Sequence, residues 1–273
     1  MKKNQSILTD LKFDDVNFSR VFDYWLGGYH NFEDDRLTAN RIESIYPHIR
    51  MAAFANRSFL RRCIRFLCQH KIHQFIDIGS GIQTAGGVFE FLKRLDPEAK
   101  IILADVDPVV VQHNNAILRH ENNVVNLHAD ARNADTIFSN YKVLKYFNFE
   151  QPVAVMLSNV LHYIDDDQQI FDLIAEIKSN ICLHSFLVIE HLSLPDRLER
   201  LLHKTKSFDL PIRFKIKSRS FLNIYQFFRG FELVQPGLVY APQWHAESKF
   251  DALVDSPELS ISFAGVGVKK TEA

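Results

Sequence analysis

Three apolar runs of the sequence end in an acidic residue, and the first continues into a glycine turn. In "FIDIGSGIQTAGGVFEFLKRL", Phe75 to Leu95, a strand-like run stops at Asp77-x-Gly79-x-Gly81 and a helical periodicity follows. Glycine opens backbone dihedrals closed to other residues and lets a ligand approach the main chain. "KIILADVD" ends at Asp105 and "NVVNLHAD" at Asp130. An acid at the end of a second strand can accept two hydrogen bonds from a ribose diol. Asp130 could accept one from an adenine amino group. This chemistry points to a nucleoside-bearing ligand. The dinucleotide fingerprint GxGxxG needs glycine where Thr84 stands, which disfavours a nicotinamide cofactor, and no GxxxxGK[ST] occurs.

These residues need a frame, and the sequence supplies an alternating one. "ANRSFLRRCIRFLCQH" places Phe59, Leu60, Cys63, Ile64 and Leu67 on one helical stripe, with Asn56 as its expected cap. "QFIDIG" reads as the first strand, and Thr84 is the expected cap of a helix carrying Val88, Phe91, Leu92 and Leu95. Asp107-Pro108 reads as cap and first-turn proline of the next helix. "PVAVMLSNVLHYI" contains a fourth strand, "DDDQQIFDLIAEIKSN" a helix and "SFLVIEHLS" a fifth strand. Strands alternating with helices predict an α/β fold with a parallel sheet covered on both faces, which binds ligands at the carboxyl ends of its strands. The glycine turn, Asp105, Asp130 and "SNVLH" all fall on that edge. Beyond Pro195, "DRLERLLHKTK" and "SFLNIYQFFRG" read as helices, and "FELVQPGLVYAPQW" with "SISFAGVGVKK" as a strand pair returning to the sheet. The basic run Arg213 to Arg219, "RFKIKSR", reads as a solvated strand face or extended segment, with a substrate-binding patch as the lesser reading.

Composition narrows the classes. The chain has 273 residues, 47% of them hydrophobic, enough for one large domain with an appendage. Thirty-two basic against thirty-three acidic residues leave a net charge of −1, so no global basic field points to nucleic acid or an anionic membrane. Three cysteines without a CxxC pair suit a reduced, cytoplasmic protein. Twelve histidines show no zinc spacing, so no metal site is expected. "MKKNQSILTDLKFDD" lacks the apolar core of a signal peptide, and no apolar run approaches the roughly twenty residues that span a bilayer.

The chain resembles the class I S-adenosylmethionine-dependent methyltransferases. More narrowly, it resembles a bacterial S-adenosyl methyltransferase family long catalogued as a domain of unknown function. "SRVFDYWLGGYHNFEDDR", "ANRSFLRRCIRFL", "FIDIGSGIQTAGGVFE", "ADVDPVVVQHN", "VLHYI" and the terminal "FELVQPGLV", Trp and "AGVGVKK" carry the resemblance, which spans roughly Asn17 to Lys270. It implies a Rossmann-like, mostly parallel seven-stranded sheet with helices on both faces. Residues 1–55 would form an N-terminal helical arm or lid, and residues 56–273 the cofactor-binding domain. The implied cofactor is S-adenosylmethionine, with S-adenosylhomocysteine as product and a small-molecule acceptor as substrate.

By the resemblance, Asp77, Gly79, Ser80 and Gly81 would lie under the methionine part and ribose. Asp105 with Val106 would hold the ribose side, Asp130 and Ala131 the adenine, and Ser158 the floor near the sulfonium. Gln83 sits where a third glycine is common in the general class. In the arm, Arg20, Tyr24 and Asn31 are cofactor candidates, with Arg20 or Asn31 near the methionine carboxylate, and Asn56 and Arg57 are similar candidates. A structural arm is the other reading. Methyl transfer asks the protein mainly to align partners and exclude water. His162 and His191 fall where a base would sit, and Asn159 could orient an acceptor amine or carbonyl. A cofactor-binding protein without turnover and a nucleotide-dependent oxidoreductase are the alternative classes.

Overall fold

The computed structural model describes residues 16–84, 86–204, 216–249 and 251–270, with no side-chain description for 201–204. The expectations for the first fifteen residues and for positions 205–215 lie outside that range. The chain opens with α1 (Phe18–Trp25), α2 (Glu33–Ile45) and α3 (Ile49–Gln69). It continues with β1 (Gln74–Ile78), α4 (Val88–Leu95), β2 (Lys100–Asp105), α5 (Pro108–Ile117) and β3 (Val124–His128). Two short helices, α6 (Asp135–Phe138) and α7 (Tyr141–Tyr146), precede β4 (Ala154–Ser158), α8 (Asp167–Asn180) and β5 (Phe186–Leu192). The last part holds α9 (Asp196–Lys204), α10 (Phe221–Gln226), β6 (Glu232–Leu233), β7 (Val239–Tyr240) and β8 (Ser262–Val268).

The strands form one sheet in the order β3-β2-β1-β4-β5-β8-β6, with β7 also on β8. Pairings from β3 to β5 are parallel, and those of β8 with β5, β6 and β7 are antiparallel. Eight strands therefore replace the expected seven. The reason is local: β6 pairs with Gly267 and Val268 and β7 with Phe263 and Ala264, so two short strands share the outer edge of β8.

Side chains alternate across a strand, and here the alternation sorts the sheet cleanly. Ile76, Ile102, Leu157 and Ile189 face the core built with α8 and α10. Phe75, Leu103, Met156 and Val188 face the other core, against Phe59, Cys63 and Leu67 of α3 and Val88 and Leu92 of α4. Two residues beyond each member of this second set, on the same face, stand Asp77, Asp105, Ser158 and Glu190. The parity that buries the strands thus lines up their polar ends under α3.

Four local expectations change. α3 begins at Ile49 and runs through Asn56, which is a mid-helix residue and not a cap. α4 begins after Gly87, and Thr84 instead donates to Asp23 Oδ1 at 2.8 Å. Leu95 is exposed while Phe89 is buried in its place. The described end of the basic run is not a solvated face: Arg219 is buried, pairs with Asp167 at 2.8 Å and donates to Ile164 O at 2.7 Å. Asp107 caps α5 as expected, accepting from Val109 N at 2.7 Å.

Candidate functional site

A cavity of about 450 Å³ opens along the carboxyl edge of the sheet, between the strand ends, α3 and the arm. The glycine turn forms one wall. Gly79 has φ +75°, and a Cβ there would overlap Val160, 2.5 Å from its Cγ2, so both conformation and space require glycine. Gln83 fixes the rest of the turn with its side chain, donating to Ser80 O at 2.9 Å and accepting from Phe89 N at 3.1 Å. Gly81 N donates to Asp105 Oδ2 and Asp107 N to Asp105 Oδ1, each at 2.9 Å. Each Asp105 oxygen keeps further acceptor capacity, and the residue lines the cavity. Burial pushes its pKa up to about 6, against the two backbone donors that lower it.

Asp77 is 3% exposed, lines the cavity and receives no hydrogen bond among the described residues. Burial raises it to about 7, with Arg57 opposing and Asp105 adding. Arg57, from α3, lines the same cavity and rests over the Phe22 ring at 5.2 Å. Its Nε is buried without a partner, and burial lowers its pKa against Asp77, Glu190 and Asp23. A buried carboxylate and a guanidinium whose Nε is buried and unpartnered suit the ammonium and carboxylate of an amino-acid group.

Glu190 is the residue that sequence reasoning missed. It is fully buried, lines the cavity and joins three elements: Ser158 Oγ (3.1 Å) and Asn56 Nδ2 donate to Oε2, and Ser262 Oγ (3.0 Å) to Oε1. Burial raises its pKa, opposed by those three donors and Arg57. The available signal was an ionisable residue inside an otherwise apolar strand, "FLVIEHL". Ser158, expected as the cavity floor, is thereby held in this network.

The other expected residues divide. Ser80, Val106, Asp130, Ala131, Asn159 and His162 line the cavity. Asp130 caps the turn Ala131–Asn133 and is held by Arg132, which lowers its pKa. Asn159 has φ +56°, a left-handed backbone where the strand edge turns toward His162. His162 is buried with Nδ1 unpartnered, and burial, then His191 and Arg219, lowers its pKa well below the usual value. His191 is outside the lining: its Nδ1 meets Leu192 O at 2.7 Å and its Nε2 meets Arg219 at 3.0 Å.

Arg20, Tyr24 and Asn31 also fall outside the lining, because each has a partner within the arm. Arg20 pairs with buried Asp35 at 2.6 Å, and Asp35 also accepts from Asn17 N and Phe32 N. Tyr24 donates to Asn40, and Asn31 donates to Asp23 Oδ2 and Gly28 O, each at 2.9 Å. Asp23 closes on Gly28 so tightly that a Cβ would overlap its carboxylate, and Gly27 has φ +79°, so each glycine of the pair has its own reason. α1 and the residue before it meet the cavity through Asn17, Phe18, Ser19, Phe22, Asp23 and Trp25. Asn17 donates to Asp107 and Thr84 to Asp23, so the arm is tied to both loops.

Among the described residues no cluster is placed to hold a metal ion, and no helix is long and apolar enough to cross a membrane. Comparison with known proteins then adds three findings. A family model described as S-adenosyl methyltransferase matches residues 4–270. The crystal structure of a candidate methyltransferase from Thermobifida fusca YX is 30% identical with a TM-score of 0.85, covering 95% of this chain and 97% of that one. A DUF574 family protein from Streptomyces avermitilis MA-4680 shares the fold at 22% identity and a TM-score of 0.84, covering 94% and 98%. Curated proteins give no match.

Proposed function

The chain belongs to the S-adenosyl methyltransferase family and is an S-adenosylmethionine-dependent methyltransferase, and from that premise we infer that the cavity holds the cofactor along the glycine edge and serves a small-molecule acceptor. The observation that carries this reading is the set of unused groups in one cavity. Asp105 offers acceptors for a ribose diol, Asp77 a carboxylate for the amino-acid ammonium, and Arg57 a cation with an unpartnered Nε for the carboxylate. Gly79, Ser80 and Gly81 let the ligand approach the main chain, and Ala131 with Val106 flanks the adenine. Asp130 already holds Arg132, so its neighbourhood offers the base mostly apolar surface and backbone. Arg57 takes the role that Arg20 and Asn31 had in the sequence reading.

When bound, S-adenosylmethionine supplies a methyl group already activated on a sulfonium. The protein is left with alignment and exclusion of water. Phe18, Phe22 and Trp25 of the arm shield the cavity, and the Asn17–Asp107 and Thr84–Asp23 contacts hold that cover against the loops. α3 runs unbroken through residue 55, so the arm and the sheet share a helix and the arm acts as a cover hinged before α3. His162 stays neutral at ordinary pH, which allows it to accept a hydrogen bond but makes it a weak proton acceptor. Asn159 and Ser158 orient the acceptor at the strand edge.

Calorimetry with S-adenosylmethionine, S-adenosylhomocysteine and a nicotinamide dinucleotide tests the cavity assignment. Binding of the first two alone is expected, and binding of the dinucleotide alone would overturn it. Methyl-labelled S-adenosylmethionine offered with pools of small molecules then identifies the acceptor.

A further inference from the structure

The cavity has a second half that the cofactor assignment leaves unused. Beyond Glu190 its wall comes from elements with no part in the glycine turn. The α2–α3 corner brings Ile45 and Ile49, the segment after β5 brings Leu194 and Leu198, and Ile216 and Ile261 complete it. Two polar side chains of this half are engaged with the protein itself. The Tyr46 hydroxyl donates to Leu259 O at 2.8 Å and Ser260 Oγ to Pro257 O at 2.7 Å. Among the described residues the cavity lining holds two Arg or Lys cations, Arg57 and Arg132. Arg132 is paired with Asp130, and Arg57 sits among Asp77, Glu190 and Asp23.

Glu190 stands at the seam of the two halves. A carboxylate offers about four acceptor sites, and Asn56, Ser158 and Ser262 occupy three: two on Oε2 and one on Oε1. One site on Oε1 is left without a donor in a fully buried side chain. A ligand that brings an O–H or N–H there relieves an unmet acceptor. Among the described residues the lining offers an anion no further cation once Arg57 meets the cofactor carboxylate, so it would be desolvated beside Glu190. Long apolar walls and one unmet acceptor therefore select for both shape and charge.

We propose that this half takes the methyl acceptor, a ring-sized and predominantly apolar molecule, neutral or cationic, whose hydroxyl or amine donates a hydrogen bond to Glu190. The assignment rests on the methyltransferase reading above and adds the acceptor's chemical class to it.

The experiment uses the full chain saturated with S-adenosylhomocysteine, and three probes of one ring system: 2-naphthol, 2-methoxynaphthalene and 2-naphthoate. Calorimetry is expected to rank 2-naphthol at least about ten-fold tighter than either of the others, one carrying no donor and the other a charge. Ile49→Arg places a guanidinium in the apolar half, so naphthoate should then bind tighter than naphthol while S-adenosylhomocysteine affinity stays within about three-fold. Glu190→Gln should bring naphthol and methoxynaphthalene within about three-fold of each other. Should that variant fail to fold, Ser262→Ala serves instead, because it leaves Glu190 a second open site and should keep or widen the naphthol preference. Naphthol that does not bind, equal affinities for the three probes, or naphthoate preferred by the unaltered protein would overturn the acceptor class alone. Failure of S-adenosylhomocysteine itself to bind would overturn the cofactor assignment beneath it.

Discussion

The carboxyl edge of the sheet and the N-terminal arm both carry dense polar residues, and they use them in opposite ways. On the edge, the Asp77 side chain has no donor among the described residues and Asp105 and Glu190 have only part of their capacity filled, all of them lining the cavity. In the arm, Arg20 pairs with Asp35 and Asn31 with Asp23, and mainly apolar side chains are left toward the cavity. Buried polar groups must find partners. The edge leaves that requirement open for a ligand, whereas the arm meets it internally and becomes rigid enough to serve as a cover. A polar motif can therefore encode a shape, and an acid at a strand end can encode a vacancy.

The sharpest way to break this contrast is Asp35→Ala. It removes the ion-pair partner of buried Arg20 at 2.6 Å and the acceptor for Asn17 N and Phe32 N, so it should cost about 3–5 kcal/mol of stability. Urea unfolding measures the loss, and hydrogen exchange should speed up first in residues 18–45. An arm that keeps its protection in this variant would mean that its polar core is not what holds it.

Titration separates the regions next. Burial raises Asp77 to about 7 in the folded protein, against about 3.9 in an unfolded chain. The folded state binds this proton more tightly, so Asp77 contributes stability that is full below about pH 4 and lost as pH rises through about 7. Unfolding curves of the ligand-free protein and of Asp77→Asn, subtracted across that window, should isolate the slope. A flat difference would place Asp77 in a solvated or paired setting.

Within the edge, two neighbouring acids should behave differently. Asp105→Ala should weaken S-adenosylhomocysteine binding by about 1.5–3 kcal/mol, the range for hydrogen bonds to a charged group. Asp107→Ala should mainly lower stability, by about 0.5–2 kcal/mol for a lost cap. Calorimetry beside thermal unfolding distinguishes them, and affinity controlled by Asp107 would exchange their roles.

The smallest expected effect lies on the contact between the regions. Thr84→Val removes the hydroxyl that reaches Asp23 and should cost about 0.5–1.5 kcal/mol. Its signature is faster exchange in residues 20–32, restored in part by S-adenosylhomocysteine. Ligand addition to the unaltered protein should slow exchange in the same segment; no change in either case would leave the arm a structural element only.

The sequence by itself determined the alternation of strands and helices from α3 to β5, the approximate positions of those five strands, the α5 cap at Asp107 and the glycine turn, because periodicity, proline and glycine act locally. It also determined, through strand parity, that Asp77 and Asp105 share a face with the buried residues two positions before them. Tertiary structure decided which helix covers that face. α3 brings Asn56 and Arg57 over it, turning an expected cap into a partner of Glu190 and Ser158. It also decided that Arg20 answers Asp35, that Arg219 is buried against Asp167, and that β6 and β7 share one edge of β8. The physical reason is common to these cases. A charged side chain reads the same in sequence whether it meets a ligand, water or another side chain, and only the packing of distant segments fixes which partner lies within about 3 Å, the reach of a hydrogen bond.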